Sequence, residues 1–151
     1  MLQPSLDADP DPDSIILSSI FIVLLVGLSA FFSSTETAFS SANRTKLKIK
    51  AQDGNKRAQN ALMLLDKYDK VLSAILVGNN IVNITLSVLF NNIFEAVIPN
   101  PAVSGIVSVA VSTVIVLTFG EISPKMIAKE NAEKLTMAFG YPIRIIMVIL
   151  Y

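Results

Sequence analysis

One acid lies inside an otherwise apolar stretch of the sequence: Glu121, in "LTFGEISPKMIA", residues 117–128. An ionisable side chain in such a stretch is costly to bury in lipid, so it is a functional hypothesis by default. In an α-helix, Pro124 would leave the carbonyl of Gly120 without its N–H donor, and Gly120 has no side chain to keep an ion away. A bare carbonyl beside a carboxylate forms half of an oxygen-lined cation site. The alternative is a hinge in which Glu121 pairs with Lys125.

A second polar segment, "SAFFSSTETAFSSANR" at 29–44, carries hydroxyl groups and a carboxylate. Because helical residues are spaced by about 100°, five of its side chains share one arc: Ser29, Ser33, Glu36, Thr37 and Ser40. This arc should face a protein interior or a water-filled cavity, because lipid offers it no hydrogen-bond partner. The alternative is that the small residues merely let helices pack closely, with Glu36 reaching interfacial water.

A third polar segment, "VGNNIVNITLS" at 77–87, contributes carboxamides. Asn79 and Asn83 lie one helical turn apart on one face, whereas Asn80 points about 100° away. Carboxamide oxygens are neutral, hard ligands that suit Mg²⁺, Ca²⁺ or Na⁺. The alternative is hydrogen bonding between helices, and the spacing leaves the choice between Asn79 and Asn83 open.

All of these candidate ligands are oxygen atoms, and the chain contains neither histidine nor cysteine. Copper and zinc are therefore disfavoured, and histidine-dependent hydrolases are excluded. No Asp lies inside the apolar runs, which argues against an intramembrane aspartyl protease, so we expect no enzymatic activity. A single carboxylate favours either a partly hydrated Mg²⁺ or a monovalent Na⁺, and spacing alone does not choose between them.

The elements that must position these groups are three charge-free runs, at 15–32, 71–94 and 102–120. Each is long enough to cross the roughly 30 Å hydrocarbon layer as a helix. The alternative, three buried helices of a large soluble protein, lacks the amphipathic partner helices that would cover them. The sequence therefore predicts an all-α membrane protein with three transmembrane helices, spanning about 15–43, 71–95 and 102–127 within a domain at 15–128.

The basic residues predict the orientation of these helices. Residues 1–14 carry four Asp and no Lys or Arg, and all twelve basic residues follow position 43, in 44–70 and beyond 124. Since basic residues mark the cytoplasmic side, the N-terminus should lie outside and the C-terminus in the cytoplasm. Without the basic start of a cleavable signal peptide, the first run should remain a spanning helix behind a disordered, extracytoplasmic acidic tail.

Two further segments are expected to be helical. The segment 44–70 should form a cytoplasmic helical hairpin between the first two spans, split at "DGN", 53–55. The tail 129–151 is interrupted by Gly140 and Pro142, and either lies along the inner interface as an amphipathic helix or begins another element. Its apolar ending at "MVILY" suggests that the natural chain continues.

The three motifs "FFSSTETAFSSANRTKL", "VGNNIVNI" and "FGEISPK", in this order and one on each span, resemble the transmembrane domain of the CorC/CNNM (cyclin M) family. The resemblance covers nearly the whole chain and implies a magnesium transporter, exporting Mg²⁺ in exchange for Na⁺ influx. It also implies a homodimer with a juxtamembrane belt helix at 129–151. Full-length relatives continue into a CBS-domain pair that binds ATP.

The resemblance further implies a cation near the membrane centre, in an inward-open cavity. The metal ligands it assigns come from all three spans: Ser33 with Thr37 a turn below, Asn83 with Asn79 as the competing choice, and the Gly120 carbonyl with Glu121. Thr37 stands where the family pattern leads one to expect a second serine, and its hydroxyl can serve equally.

The sequence thus predicts a multi-pass protein of the bacterial inner membrane whose partners are Mg²⁺, Na⁺, the lipid bilayer and a second copy of itself, with no nucleic acid. Two rival functions come from other classes. One is a membrane anchor and dimerisation module for missing cytoplasmic domains. The other is a Mg²⁺ sensor that regulates a separate transporter. A channel is less attractive, because the sequence has no obvious filter loop.

Overall fold

The computed structural model describes residues 11–151, and every regular element in that range is helical. The elements are α1 Pro12–Ser41, α2 Arg44–Gln52, α3 Lys56–Leu65, α4 Tyr68–Val97, α5 Pro101–Ile115, a π-helical segment Val116–Ile122, α6 Ser123–Glu130 and α7 Ala132–Leu150. Three helices are long and apolar enough to cross a membrane, namely α1, α4 and the continuous stretch Pro101–Glu130. The expected all-helical fold with three spans is confirmed.

The first helix begins earlier than the apolar run. Of the acidic tail expected at 1–14, residues 1–10 lie outside the described range, and residues 12–14 belong to α1. Helix α1 starts at Pro12 because proline, which has no N–H to leave unpaired, is favoured in a first helical turn. It ends at Ser41, and the side chain of Asn43 then caps α2 by accepting hydrogen bonds from two backbone N–H groups.

Helices α2 and α3 form the hairpin that the sequence predicts. Gly54 lies between them with a φ of 89°, the left-handed conformation that glycine adopts without strain. Asn55 caps α3, accepting hydrogen bonds from the N–H groups of Arg57 and Ala58. Because both helices are short, their stability depends on packing, and α3 contacts α2, α4 and α7.

The third span changes its helical spacing in its C-terminal half. Between Val116 and Ile122 the backbone is π-helical, and the N–H of Ser123 donates to the carbonyl of Thr118, five residues back. The sequence argument counted four residues back from Pro124 to reach the Gly120 carbonyl, and that count does not hold across this segment. Single-turn π segments within α-helices occur frequently at functional sites, so this segment is itself a sign that the residues around Gly120 are functional.

Gly140 and Pro142, which interrupt the pattern of the tail in the sequence, do not break its helix. The tail is one helix from Ala132 to Leu150. Packing compensates for the two poor helix formers. A Cβ atom at Gly140 would lie 2.8 Å from Nδ2 of Asn60, so glycine allows α7 to approach α3 closely. Ile143 is fully buried on the same face. Helix α7 is therefore amphipathic, as expected for a belt helix, and its place at the membrane interface stays a prediction.

Helix α1 is the central element, because it contacts α4, the π segment, α6 and α7. Its contact with α4 depends on a second glycine. A Cβ atom at Gly78 would lie 2.4 Å from Cζ of Phe32, so only glycine leaves room for that buried ring. This contact fixes the height of α1 against α4 next to Asn79.

The orientation of the spans is tested by cysteine accessibility, since the chain has no cysteine of its own. Gln52 in the hairpin and Ala96 at the far end of α4 are both exposed. In intact bacteria, Ala96→Cys should react with a membrane-impermeant maleimide, and Gln52→Cys should react only after the membrane is permeabilised. The opposite pattern would contradict an outside N-terminus.

The junction between α7 and the hairpin should depend on pH through Glu133. Its carboxylate accepts hydrogen bonds from backbone N–H groups, its own and that of Asn43 at 3.2 Å, and these lower its pKa below the ordinary 4.5 despite partial burial. A lowered pKa stabilises the fold above 4.5, and this stability is lost as pH falls through the folded-state value. Glu133→Gln should therefore lower the melting temperature at about pH 7, and the difference from wild type should vanish near pH 3. The exposed Glu130→Gln is the control, and an equal effect of both variants would contradict the assignment.

Candidate cation site

The polar arc of α1 is most deeply buried at its N-terminal end. Ser29 and Ser33 are fully buried, Glu36 and Thr37 are half-buried, and Ser40 is exposed. The expected interior face is thus present where α1 packs on α4 and on the π segment. The part of the arc that can bind an ion away from bulk water is the pair of serines, one helical turn apart.

The Ser29 hydroxyl is the contact between the first two spans. Its Oγ lies 3.1 Å from Oδ1 of Asn83 and 3.2 Å from Oδ1 of Asn79. A serine hydroxyl has one proton and can donate it to only one of these oxygens at a time. The other carboxamide oxygen keeps its lone pairs free, so two acceptors converge where the protein supplies one donor. Such a surplus of oxygen lone pairs is what a cation requires.

The third span reaches the same hydroxyl through a glycine. A Cβ atom placed on Gly120 would lie 3.0 Å from Oγ of Ser29 and 3.4 Å from its Cβ. Glycine therefore allows the π segment to bring its backbone against Ser29. Since Ser29 also contacts Asn79 and Asn83, groups from all three spans meet at this point.

Ser33 supplies a buried oxygen without a partner. Its side chain is fully buried, and its Oγ makes no hydrogen bond in the described part of the chain. Two other buried hydroxyls of α1, those of Ser34 and Thr35, donate to carbonyls of their own helix, Thr35 to Phe31 at 2.6 Å. An unsatisfied buried hydroxyl costs free energy, so it calls for a specific explanation such as a bound ion or water.

Glu121 is half-buried, next to Gly120 in the π segment. The alternative reading paired it with Lys125, and the structure contradicts that pairing. Nζ of Lys125 instead lies 3.3 Å from Oε2 of Glu36, which joins the third span to the first. Within residues 11–151, Glu121 takes part in no ion pair and no side-chain hydrogen bond, so its charge is uncommitted.

A polar crevice adjoins the site from the side of α4 and α5. It has a volume of about 200 Å³, and Asn83, Ser87, Ser112 and Thr113 supply its polar lining. Ser87 donates its hydroxyl to the backbone carbonyl of Asn83, which leaves the Asn83 carboxamide free to face Ser29. Asn83 is thus shared by the crevice and the contact between the spans, whereas Asn79 contacts Ser29 without lining the crevice.

The structure brings together Asn79, Asn83 and Gly120 among the predicted ligands, with Ser33 one turn along α1. Thr37 lies a further turn away, and its side chain makes no hydrogen bond within residues 11–151. Sequence reasoning did not include Ser29 among the ligands, although its hydroxyl is the group that Asn79, Asn83 and Gly120 approach. The signal was present in the spacing, since Ser29 precedes Ser33 by one turn on the same arc.

Chemically, the groups that meet at Ser29 are neutral oxygens, and the carboxylate of Glu121 belongs to the residue that follows Gly120. No group of three acidic or otherwise metal-ligating side chains is found between residues 11 and 151. Hydroxyl and carboxamide oxygens with one acid suit a small hard cation that keeps part of its water shell, and Mg²⁺ dehydrates reluctantly.

Comparison with known proteins agrees with this architecture. Residues 20–151 match the family model described as the cyclin M transmembrane N-terminal domain. A UPF0053 protein of Haemophilus influenzae is 37% identical over 92% of this chain and 33% of its own length. The UPF0053 inner membrane protein YfjD of Escherichia coli is 35% identical over 80% of this chain and 28% of its own length.

A more distant relative is a chloroplastic DUF21 domain-containing protein of Arabidopsis thaliana, 31% identical over 87% of this chain and 20% of its own length. The chain spans about a third or less of the length of the curated relatives it matches. The match therefore concerns a membrane domain, and the remaining parts of those relatives lie outside it.

The close approach of Gly120 to Ser29 is tested by adding one methyl group. Gly120→Ala should lower the melting temperature of the detergent-purified protein, because the new Cβ would lie 3.0 Å from Oγ of Ser29 and displace that hydroxyl from its carboxamide partners, at a cost of about 1 kcal/mol. Gly27→Ala is the matched control, since a Cβ there meets nothing within 4 Å. It should leave the melting temperature unchanged or raise it. Equal melting temperatures for the two variants would contradict the contact.

Proposed function

The chain belongs to the cyclin M transmembrane-domain family, and from that premise we propose that it carries Mg²⁺ across the bacterial inner membrane. The observation that carries the proposal is the meeting of oxygen groups from three spans around Ser29, beside the unpartnered hydroxyl of Ser33. The membrane is proposed by analogy with the Escherichia coli relative, which is named an inner membrane protein. The protein moves an ion and catalyses no covalent reaction.

In this function the ion lies between the three spans. Asn83 and Ser33 supply neutral oxygens, with Asn79 and Ser29 beside them, and a backbone carbonyl of the π segment near Gly120 completes the inner face. Glu121 supplies the negative charge, which supports the proposal because no basic group within residues 11–151 neutralises it. Water fills the remaining coordination positions, since Mg²⁺ prefers six oxygens.

The paired arrangement of Asn79 and Asn83 supports movement of the ion as well as binding. One hydroxyl proton shared between two carboxamides gives two alternative hydrogen-bonding states that differ little in energy. A cation entering beside Ser33 would favour the state that frees an oxygen for it. Transport requires such weak, exchangeable binding, because the ion must leave as readily as it enters.

We further propose that Na⁺ moving inward drives Mg²⁺ outward. Exported Mg²⁺ carries two charges against the membrane potential, so the potential assists export only when more than two Na⁺ enter for each Mg²⁺, and 100 mV then contributes about 2.3 kcal/mol for each net charge that moves inward. Oxygen-only sites accept both ions, so the same ligands can bind each in turn. A second copy of the chain is the proposed partner, and the spans pack in the lipid bilayer.

The decisive experiment measures Mg²⁺ flux into liposomes that contain the purified protein, with and without a Na⁺ gradient. Glu121→Gln should lower the flux at least tenfold, because it removes the only charge proposed to face the ion. Glu130→Gln is the matched control, since Glu130 loses the same charge from an exposed position at the end of α6.

Each contrary result identifies one of the rival functions. Equal flux through wild type and Glu121→Gln would contradict the transport proposal and leave a membrane anchor. Suppose instead that the wild type binds Mg²⁺ but carries none across liposomes that contain no other protein. That result would indicate a sensor that acts on another transporter.

A further inference from the structure

Two adjoining cavities lie at the end of the bundle that carries the hairpin, away from the cation site. The larger one, of about 430 Å³, is lined by Lys67, Lys70 and Arg144 together with apolar side chains. The smaller one, of about 320 Å³, is lined by Lys56, Asn60 and again Arg144. Because Arg144 lines both, it stands at the boundary between them, where α3 packs against α7.

The charge in these cavities is positive only. Four basic residues line them and no acid does: Lys56, Lys67, Lys70 and Arg144. Within residues 11–151, none of the four takes part in an ion pair. Asp66, the acid next to Lys67 in sequence, is engaged by Arg44 at 3.0 Å. Asp69 precedes Lys70 but lines neither cavity. The cavities therefore present cations without counter-ions.

The guanidinium of Arg144 lies next to the buried carboxamide of Asn60. One of its N–H groups donates to Oδ1 of Asn60 in a long hydrogen bond of 3.5 Å, and Asn60 is only 6% exposed. Gly140 leaves the room for this carboxamide, because a Cβ there would lie 2.8 Å from its Nδ2. This one contact leaves the other guanidinium donors free, and their planar fork matches the oxygens of a phosphate group.

The walls beside these cations are apolar, which favours a lipid over a free anion. Met147 and Val148 line the larger cavity. Val148 and Ile149 are 75% and 76% exposed on the adjoining face of α7. Lys67 and Lys70 lie where α4, the second span, begins, so the cations are level with the expected membrane surface. A phosphate at this depth would have its acyl chains beside the exposed face of α7.

We propose that the two cavities form a binding site for an anionic phospholipid. The headgroup phosphate binds between Lys67, Lys70 and Arg144, and the acyl chains lie along Val148 and Ile149. Basic pockets between helices at the cytoplasmic surface bind lipid headgroups by this chemistry. The bound lipid would join α3 to α7 and so fix the belt helix against the hairpin. This site is separate from the proposed transport of Mg²⁺, and it stands or falls independently.

The test is native mass spectrometry of the detergent-purified protein with phosphatidylglycerol, phosphatidylcholine or inorganic phosphate. Wild type should retain phosphatidylglycerol in preference to phosphatidylcholine. The double variant Lys67→Gln with Lys70→Gln should bind phosphatidylglycerol at least tenfold more weakly, because each basic residue near the surface contributes roughly fivefold. Arg144→Gln should weaken binding as well. A double variant of two exposed lysines outside the cavities, Lys48→Gln with Lys129→Gln, is the matched control and should bind as wild type does.

Three results would overturn the proposal. Unchanged phosphatidylglycerol binding by the Lys67 and Lys70 variant would show that the lipid binds elsewhere. Equal retention of phosphatidylcholine would show that the cavities hold lipid without regard to charge. Displacement of phosphatidylglycerol by millimolar inorganic phosphate would assign the site to a soluble anion. Melting temperatures of all variants, measured in parallel, separate a lost ligand from a lost fold.

Discussion

In a bilayer, helices gain little from burying apolar surface against each other, because lipid tails are equally apolar, and their association depends on close packing and polar contacts. Both requirements are met here around one serine. Ser29 lies within hydrogen-bonding distance of two carboxamides of α4, and Gly120 brings the third span against the same hydroxyl. Gly78 sets the height of α1 by admitting the Phe32 ring. The other helices of the bundle pack around α1 and this contact.

At the same contact, one Ser29 hydroxyl proton serves two carboxamide oxygens, so hydrogen-bond donors are too few. The helices are held together less firmly as a result, but an oxygen stays available to bind a cation. A fully hydrogen-bonded interface would hold the spans together more firmly. Instead, two carboxamide oxygens share one proton, and the Ser33 hydroxyl makes no hydrogen bond within residues 11–151. Unsatisfied buried groups of this kind destabilise a fold, and they persist where a ligand satisfies them part of the time. The π segment fits this pattern, since such segments occur frequently at functional sites.

Local patterns in the sequence were sufficient to predict the helices but not the contacts between them. Charge-free runs located the spans, and the glycine of "DGN" located the hairpin turn, because each is decided within a few residues. The π segment was missed because counting back from Pro124 presumes α-helical spacing. The choice between Asn79 and Asn83 stayed open because it depends on Ser29, which lies 50 and 54 residues away along the chain. Gly140 interrupted the apolar pattern of the tail in the sequence, and its packing against Asn60 is still more distant along the chain.

The ion-pair partner of Lys125 determines whether the charge of Glu121 is neutralised, and that partner is also distant in sequence. Had Lys125 bonded to Glu121 one turn away, the two charges would cancel and neutral oxygens alone would face the ion. In the structure Lys125 is engaged by Glu36 of α1 instead. Both side chains are partly exposed, Lys125 at 42% and Glu36 at 30%, so the pair contributes only modestly to stability. It joins α6 to α1 and, because Lys125 is engaged there, leaves Glu121 without an ion-pair partner within residues 11–151.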